Sequence, residues 1–344
     1  MSFKLTRCLN VILFSLALIS LFTSSAAAAN GIRDGLILCS EVVIPSLMPF
    51  MVISEFAVRT LTADFIFMPI CKALSPALKL PKAACSAVVL SMFSGYPTGA
   101  SLVSGLLKNG KITQKQASRM MMFCVNAGPA MIVLAVGQGM FGSLEVGLLL
   151  LACHILASLI IGVLSALFAE KDEAVLQNNS HSPQAEPTAE AFVNATASAC
   201  KQMLIICGYV TLFACITALL PEWASFTLPL FEVTKGCVWL VQNGHGIVLA
   251  SALLGFGGIS VIFQVLAISG AQLSLPRLVI SRIFHAVLSA ILCYLGINLL
   301  PERVLATMSA GPKVILSLGT NTIAITLSML LMASAMLWTA AYKK

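Results

Sequence analysis

Ser94-Gly95-Tyr96-Pro97-Thr98-Gly99 and Gly255-Phe256-Gly257-Gly258-Ile259-Ser260 interrupt long apolar stretches, one in each half of the chain. Glycine and proline break helices that the flanking residues favour, so both motifs mark places where backbone leaves the helical ladder. Around them, 59% of the 344 residues are hydrophobic and 10% are charged. The mean hydropathy is +0.98, more apolar surface than one water-soluble core could bury. Runs able to cross about 30 Å of hydrocarbon fall near 8–27, 36–58, 119–138, 145–168, 203–220, 278–299 and 314–340. Lipid offers backbone polar groups no partners, so these runs read as helices and the fold class as an all-α polytopic membrane protein.

Shifting the chain by 160 residues places Pro69 on Pro229, Val88 on Val248, Ser91 on Ser251, Gly95 on Gly255 and Tyr96 on Phe256. Weak internal symmetry of this kind, with helix breaks in matching places, is what transporter repeats leave in sequence. The expected hairpins run over 83–107 and 247–268. Their halves are too short to cross a bilayer singly, so each hairpin is expected to enter and return on one side. Three crossings between corresponding points then invert the second repeat, which makes the architecture an inverted repeat with two re-entrant helical hairpins. The expected segments are 1–34, a first transmembrane or signal-like helix; 35–169, the first repeat with a connecting helix; 170–194, a polar linker; 195–300, the second repeat; and 301–344, a C-terminal transmembrane segment.

Lys and Arg favour cytoplasmic loops. With the amino terminus inside, only Arg33, Lys235, Arg277, Arg282, Lys343 and Lys344 of the 20 basic residues fall on the outer face. Residues 1–29 resemble a secretory signal, with Lys4 and Arg7 before an apolar run and a small-residue tail. The run is long enough to span, so it reads as a retained helix. The 11 cysteines form no Cys-x-x-Cys pair, so neither a disulfide framework nor a metal site is expected, and no cofactor. A net charge of +7 without an aromatic-interleaved basic patch argues against nucleic acid. The expected partners are a small-molecule solute and the lipid bilayer, and self-association into a homo-oligomer is left open.

In a re-entrant hairpin, the start of the second half-helix points unpaired N–H groups at the membrane centre, where they favour anions and polar acceptors. On that reasoning the substrate-binding candidates are Gly95, Tyr96, Pro97, Thr98, Gly99 and Ser101 in the first motif. Gly255, Gly257, Gly258, Ser260 and Gln264 are those of the second, and Asn126 of Asn126-Ala127-Gly128-Pro129 is a further candidate. Small residues at these places would also suit plain helix packing. Ionisable residues inside apolar segments are functional candidates by default. Glu232 and His285 are the coupling candidates, whereas Glu55, Glu145 and Arg282 read as helix-end residues that snorkel.

Ile44-Pro45-Ser46-Leu47-Met48-Pro49-Phe50, the Ser94–Ala100 run, Gly110-Lys111-Ile112-Thr113 and Asn126-Ala127-Gly128-Pro129 resemble the sporulation integral membrane protein YlbJ family. That family carries nucleoside-recognition "Gate" domains. Phe231-Glu232-Val233-Thr234-Lys235-Gly236 and the run from Gly255 to Gln264 are similar to its acidic segment and second glycine motif. The resemblance implies a multi-pass protein of the bacterial cytoplasmic membrane, with gates like those of concentrative nucleoside transporters. The expected activity is passage of a small polar or anionic solute, nucleoside-like or dipicolinate-like, and not enzymatic catalysis. The alternatives are a non-transporting module of a sporulation or envelope assembly and, remotely, an intramembrane hydrolase using Ser260 and His285.

Overall fold

The computed structural model describes residues 3–169, 185–269 and 275–300. Most of the expected linker, 170–184, and the whole expected C-terminal segment, 301–344, lie outside the described residues. Within the described residues the chain is helical and no strand occurs. Five stretches are long and apolar enough to cross a membrane: Ser25–Arg59, Leu144–Leu167, Thr188–Ala218, Ile247–Ser269 and Leu275–Leu299. The protein is therefore an all-α polytopic membrane protein.

The first half opens with α1 (Phe3–Thr23) and α2 (Ser25–Leu38), which runs through one π-helical turn into α3 (Ile44–Arg59). Two short helices, α4 (Thr62–Ile66) and α5 (Met68–Leu78), lead to α6 (Lys82–Ser94) and α7 (Tyr96–Lys108). These last two pack against each other on either side of Gly95 as a hairpin. Helix α8 (Gln114–Met120) begins at a capping box between Thr113 and Gln116, which satisfies two amide groups that a helix start leaves unpaired. The chain then unwinds through Asn126-Ala127-Gly128 and resumes as a π-helical stretch, Ala130–Met140. It returns as α9 (Leu144–Leu167), with Gly137 pressed so closely on Gly147 that a β-carbon would sit 2.2 Å from the neighbouring Cα.

The second half begins with the long α10 (Thr188–Ala218). A 3₁₀ turn, Glu222–Thr227, and α11 (Leu228–Phe231) form one arm of a second hairpin, and α12 (Val233–Gln242) forms the other. The arms touch where a β-carbon on Gly236 would lie 2.5 Å from Pro229 Cα. Then come α13 (Ile247–Phe256), α14 (Gly258–Ser269) and α15 (Leu275–Gly296).

The hydrogen bonds fix the relative directions of these helices. The Cys293 thiol meets the Ile247 carbonyl and the Ser251 hydroxyl donates to the Ser289 carbonyl. Helices α13 and α15 therefore run antiparallel, and α13 starts where α15 ends. Helix α14 packs instead on α7 and α10, and its end, Ile268, faces the same cavity as Lys108. On that face α15 also begins, its Arg277 guanidinium 3.4 Å from the Ser118 hydroxyl of α8. Residues 247–269 thus cross from one face to the other with a break in the middle.

This corrects the expected second re-entrant hairpin over 247–268. The physical reason is that Gly257 and Gly258, both at φ +83, break the helical ladder without reversing the chain. The 23 residues of Ile247–Ser269 suffice for one crossing. The second re-entrant hairpin is 222–242, with its tip at Glu232. Arg277 moves as well, from the face expected for it to the face that carries Lys108, Lys111 and Lys115.

The inverted repeat stands in a different register. A hairpin, a broken crossing and an unbroken helix occur as α6–α7, 114–140 and α9, and again as 222–242, 247–269 and α15. A shift of 131 residues superimposes His154 on His285 and Ser158 on Ser289; the shift of 160 aligns a hairpin tip with a crossing segment.

Candidate functional site

The two hairpin tips and the two breaks in the crossings meet at one place. A β-carbon on Gly128 would lie 3.2 Å from the Gly95 nitrogen, so the first break abuts the first tip. A β-carbon on Gly258 would lie 3.2 Å from the Phe231 carbonyl oxygen and 3.4 Å from Glu232 Cα, so the second break abuts the second tip. Tyr96 links the two halves, its hydroxyl donating to the Leu254 carbonyl at 2.6 Å just before the second break.

Between them lies a cavity of about 50 Å³, room for one or two waters against the roughly 300 Å³ or more of a typical small-molecule site. Gly95, Tyr96 and Pro97 form one wall, Gly128 and Met131 a second, and Glu232, Val233 and Thr234 a third, with Val261 and Gln264 from α14. Ser46 and Leu47 of α3 and Ile206 and Val210 of α10 close it from the scaffold side. The Glu232 carboxylate, on a residue only 3% exposed, accepts the Lys235 amide at 2.7 Å and so caps α12.

The remaining sequence candidates occupy other places. Thr98 donates to the Ser94 carbonyl within its own hairpin. Gly99 lets the hairpin press on the first break, since a β-carbon there would fall 1.8 Å from the Cys124 carbonyl oxygen. Ser101 donates to Glu55 at 3.1 Å and lines a different, larger cavity. Asn126 is fully buried and donates to the Phe123 carbonyl and to the Ser158 hydroxyl, holding the unwound chain in shape. Gly255 packs on the backbone of His285 and Ala286, and Ser260 accepts the Gln264 amide at 3.0 Å.

Unwound backbone inside a membrane must find partners, and side chains supply them here. The Arg282 guanidinium, fully buried, donates to the carbonyls of Val125 and Met122. His154 Nε2 accepts the Ala127 amide at 3.1 Å, and Ser158 donates to the Phe123 carbonyl. The His154 and His285 rings stack with centroids 4.3 Å apart, and His285 Nε2 lies 3.1 Å from the His154 carbonyl oxygen. A carbonyl oxygen only accepts, so His285 Nε2 carries the proton of that bond. Arg282 and Glu55 do not snorkel at helix ends: both are buried and bonded to other elements. His285 engages His154, and no hydrogen bond joins it to Ser260 among the described residues.

Gly128, in the Asn126–Pro129 break, lines the cavity, as do Thr234 and scaffold residues of α3 and α10. The signal that could have found the frame is His-x-x-x-Ser, present at both 154–158 and 285–289. No group of three or more potential metal ligands occurs among the described residues.

No family model matches the chain, and no solved structure does. The sporulation integral membrane protein YlbJ of Bacillus subtilis (strain 168) is 24% identical to it, over 77% of this chain and 76% of that protein. That likeness bears out the resemblance of this chain to the YlbJ-like sporulation membrane proteins.

Proposed function

We propose that the protein is a permease for a small polar solute, bound where the two hairpin tips and the two broken crossings converge. The observation that carries this reading is the convergence itself. Both hairpin tips and the first break line one small cavity, and the second break abuts the second tip; in such an arrangement one half rocking against the other exposes a central site to each side in turn. The helix start at Tyr96 brings amide donors to its edge, and Glu232, which caps α12, brings a carboxylate acceptor. A solute carrying both hydroxyl or N–H donors and carbonyl or carboxylate acceptors is complementary to that pairing, as nucleoside-like and dipicolinate-like molecules are. The cavity is too small to hold either, so the present conformation is the closed one and admission requires the hairpins to part.

The face bearing Lys79, Lys82, Lys108, Lys111, Lys115, Arg119 and Arg277 is the cytoplasmic one in this reading, by its excess of basic residues. It places the protein in a bacterial cytoplasmic membrane with its amino terminus inside, and the relative named for sporulation supports a part in that process.

Proteoliposome uptake of nucleosides, dipicolinate and other small aromatic acids tests the reading, with Glu232→Gln as the site control. At least one solute is expected to accumulate faster than in empty vesicles, and Glu232→Gln is expected to slow it about ten-fold or more with the fold intact. Rates equal to empty vesicles for every solute would contradict it.

A further inference from the structure

A second and larger cavity, about 470 Å³, opens beside the hairpin on the face where α3, α7 and α14 end. Its floor is polar. Glu55, only 8% exposed, accepts the Ser101 hydroxyl and the Gln202 amide, each at 3.1 Å, and has the Arg59 guanidinium 3.6 Å away. Arg59 also donates to Glu186 at 2.8 Å, and the Glu186 amide returns a bond to the Arg59 carbonyl at 3.0 Å. Both carboxylates of the cavity are therefore engaged by donors and share one cation. Lys108 and Lys111 also line the cavity, and neither is in an ion pair among the described residues. With Arg59 they outnumber its two carboxylates, Glu55 and Glu186, so the recess favours an approaching anion.

We infer that this recess is a binding site for a small organic anion, a carboxylate or phosphate, held by Lys108 and Lys111 with Ser104 and Asn109 as hydrogen-bonding neighbours. Ser101 in its floor is four residues from Pro97 at the tip cavity, about 6 Å along the helix. The Ser101–Glu55–Gln202 bonds hold the floor of the recess together on that side. Under the permease reading, on which only its role depends, the recess is an antechamber that collects anionic solute before the hairpins part. The volume suits such an occupant, since sites for small molecules start near roughly 300 Å³. The same charges would also attract a lipid phosphate, and the test separates the two sources.

The full chain in nanodiscs of phosphatidylcholine, or of phosphatidylcholine with phosphatidylglycerol, is titrated by calorimetry. The probes are isophthalate and inorganic phosphate, with uridine as the neutral control. At least one anion is expected to bind in phosphatidylcholine discs. Affinity is expected to fall about ten-fold between roughly 0.05 and 0.5 M salt, and about ten-fold or more in Lys108→Gln/Lys111→Gln. Lys72→Gln, a charge-matched change at an exposed residue outside both cavities, is expected to leave anion binding unchanged, and a matched melting temperature shows that the double variant is folded. Binding that survives the double variant, or that falls as far in Lys72→Gln, overturns the assignment. Failure of both anions to bind, with phosphatidylglycerol retained by Lys108 and Lys111, overturns it in favour of lipid. Anion binding without uptake in proteoliposomes would count against the permease reading alone.

Discussion

The two hairpins occupy equivalent places in the inverted repeat, yet their tips differ in chemistry. The first turns at Gly95, at φ +89 and without a side chain, followed by Tyr96 and Pro97. The second turns at Glu232, an extended residue whose buried carboxylate caps the next helix. The scaffold repeats a His-x-x-x-Ser pair at its centre, with His154 against His285 and Ser158 matching Ser289, while the tips share no such pair. The matched pair thus lies in the scaffold, and the difference lies in the residues that border the small cavity.

The largest effect is expected where the first tip is kept from seating on its break. Gly99→Val would drive a side chain into the Cys124 carbonyl, which sits on fixed backbone. Overpacking without room to relax is expected to cost on the order of 3 kcal/mol or more, seen as loss of the monodisperse peak in size exclusion and a collapsed melting transition. Gly105→Ala faces open space and is expected to stay within about 0.5 kcal/mol of the parent. Equal tolerance of the two would contradict the contact between hairpin and break.

A smaller effect sharpens the contrast between the halves. His154 holds the first break through the Ala127 amide, whereas His285 reaches only the carbonyl of His154. His154→Phe leaves a buried amide unpaired and is expected to cost about 1–3 kcal/mol, with His285→Phe nearer 1 kcal/mol; thermal melts of the pair in one detergent measure the order. An inverted order would show that the second half depends on its histidine more than the bonds indicate. The smallest change is Ser101→Ala, which removes one of the donors to Glu55 while Gln202 and Arg59 remain. It is expected to lower stability by about 1 kcal/mol or less.

Much of the fold was legible in the residues. Hydropathy gave the membrane class, and the short arms around Gly95 gave the first hairpin. Gly257-Gly258 carries a stronger glycine signature than Glu232 and so points to a hairpin in sequence, although it only interrupts a crossing. Whether a break reverses the chain depends on what each arm packs against, α15 and α7 in this case, and such packing leaves little local trace in sequence. For the site, Gly95, Tyr96, Pro97, Glu232 and Gln264 were named from the sequence and line the cavity. Ser101 and Asn126 were named for the same cavity but bond elsewhere, because direction around a helix is not fixed by proximity to a motif. Arg282 was assigned to a helix end because a lone cation in an apolar run usually snorkels. Its partners are carbonyls freed by unwinding 121–128, a feature visible only once the break has a shape.

Hairpins entering from opposite faces bring their tips to one point, with 247–269 crossing between the faces. Single cysteines at Asn109, Asn243 and Arg277 in a cysteine-free background, labelled from one side of sealed vesicles with a membrane-impermeant maleimide, test it most directly. Asn109→Cys and Arg277→Cys are expected to react from the same side and Asn243→Cys from the other. Labelling of Asn243→Cys and Arg277→Cys from one common side would return 247–269 to a hairpin and contradict the account.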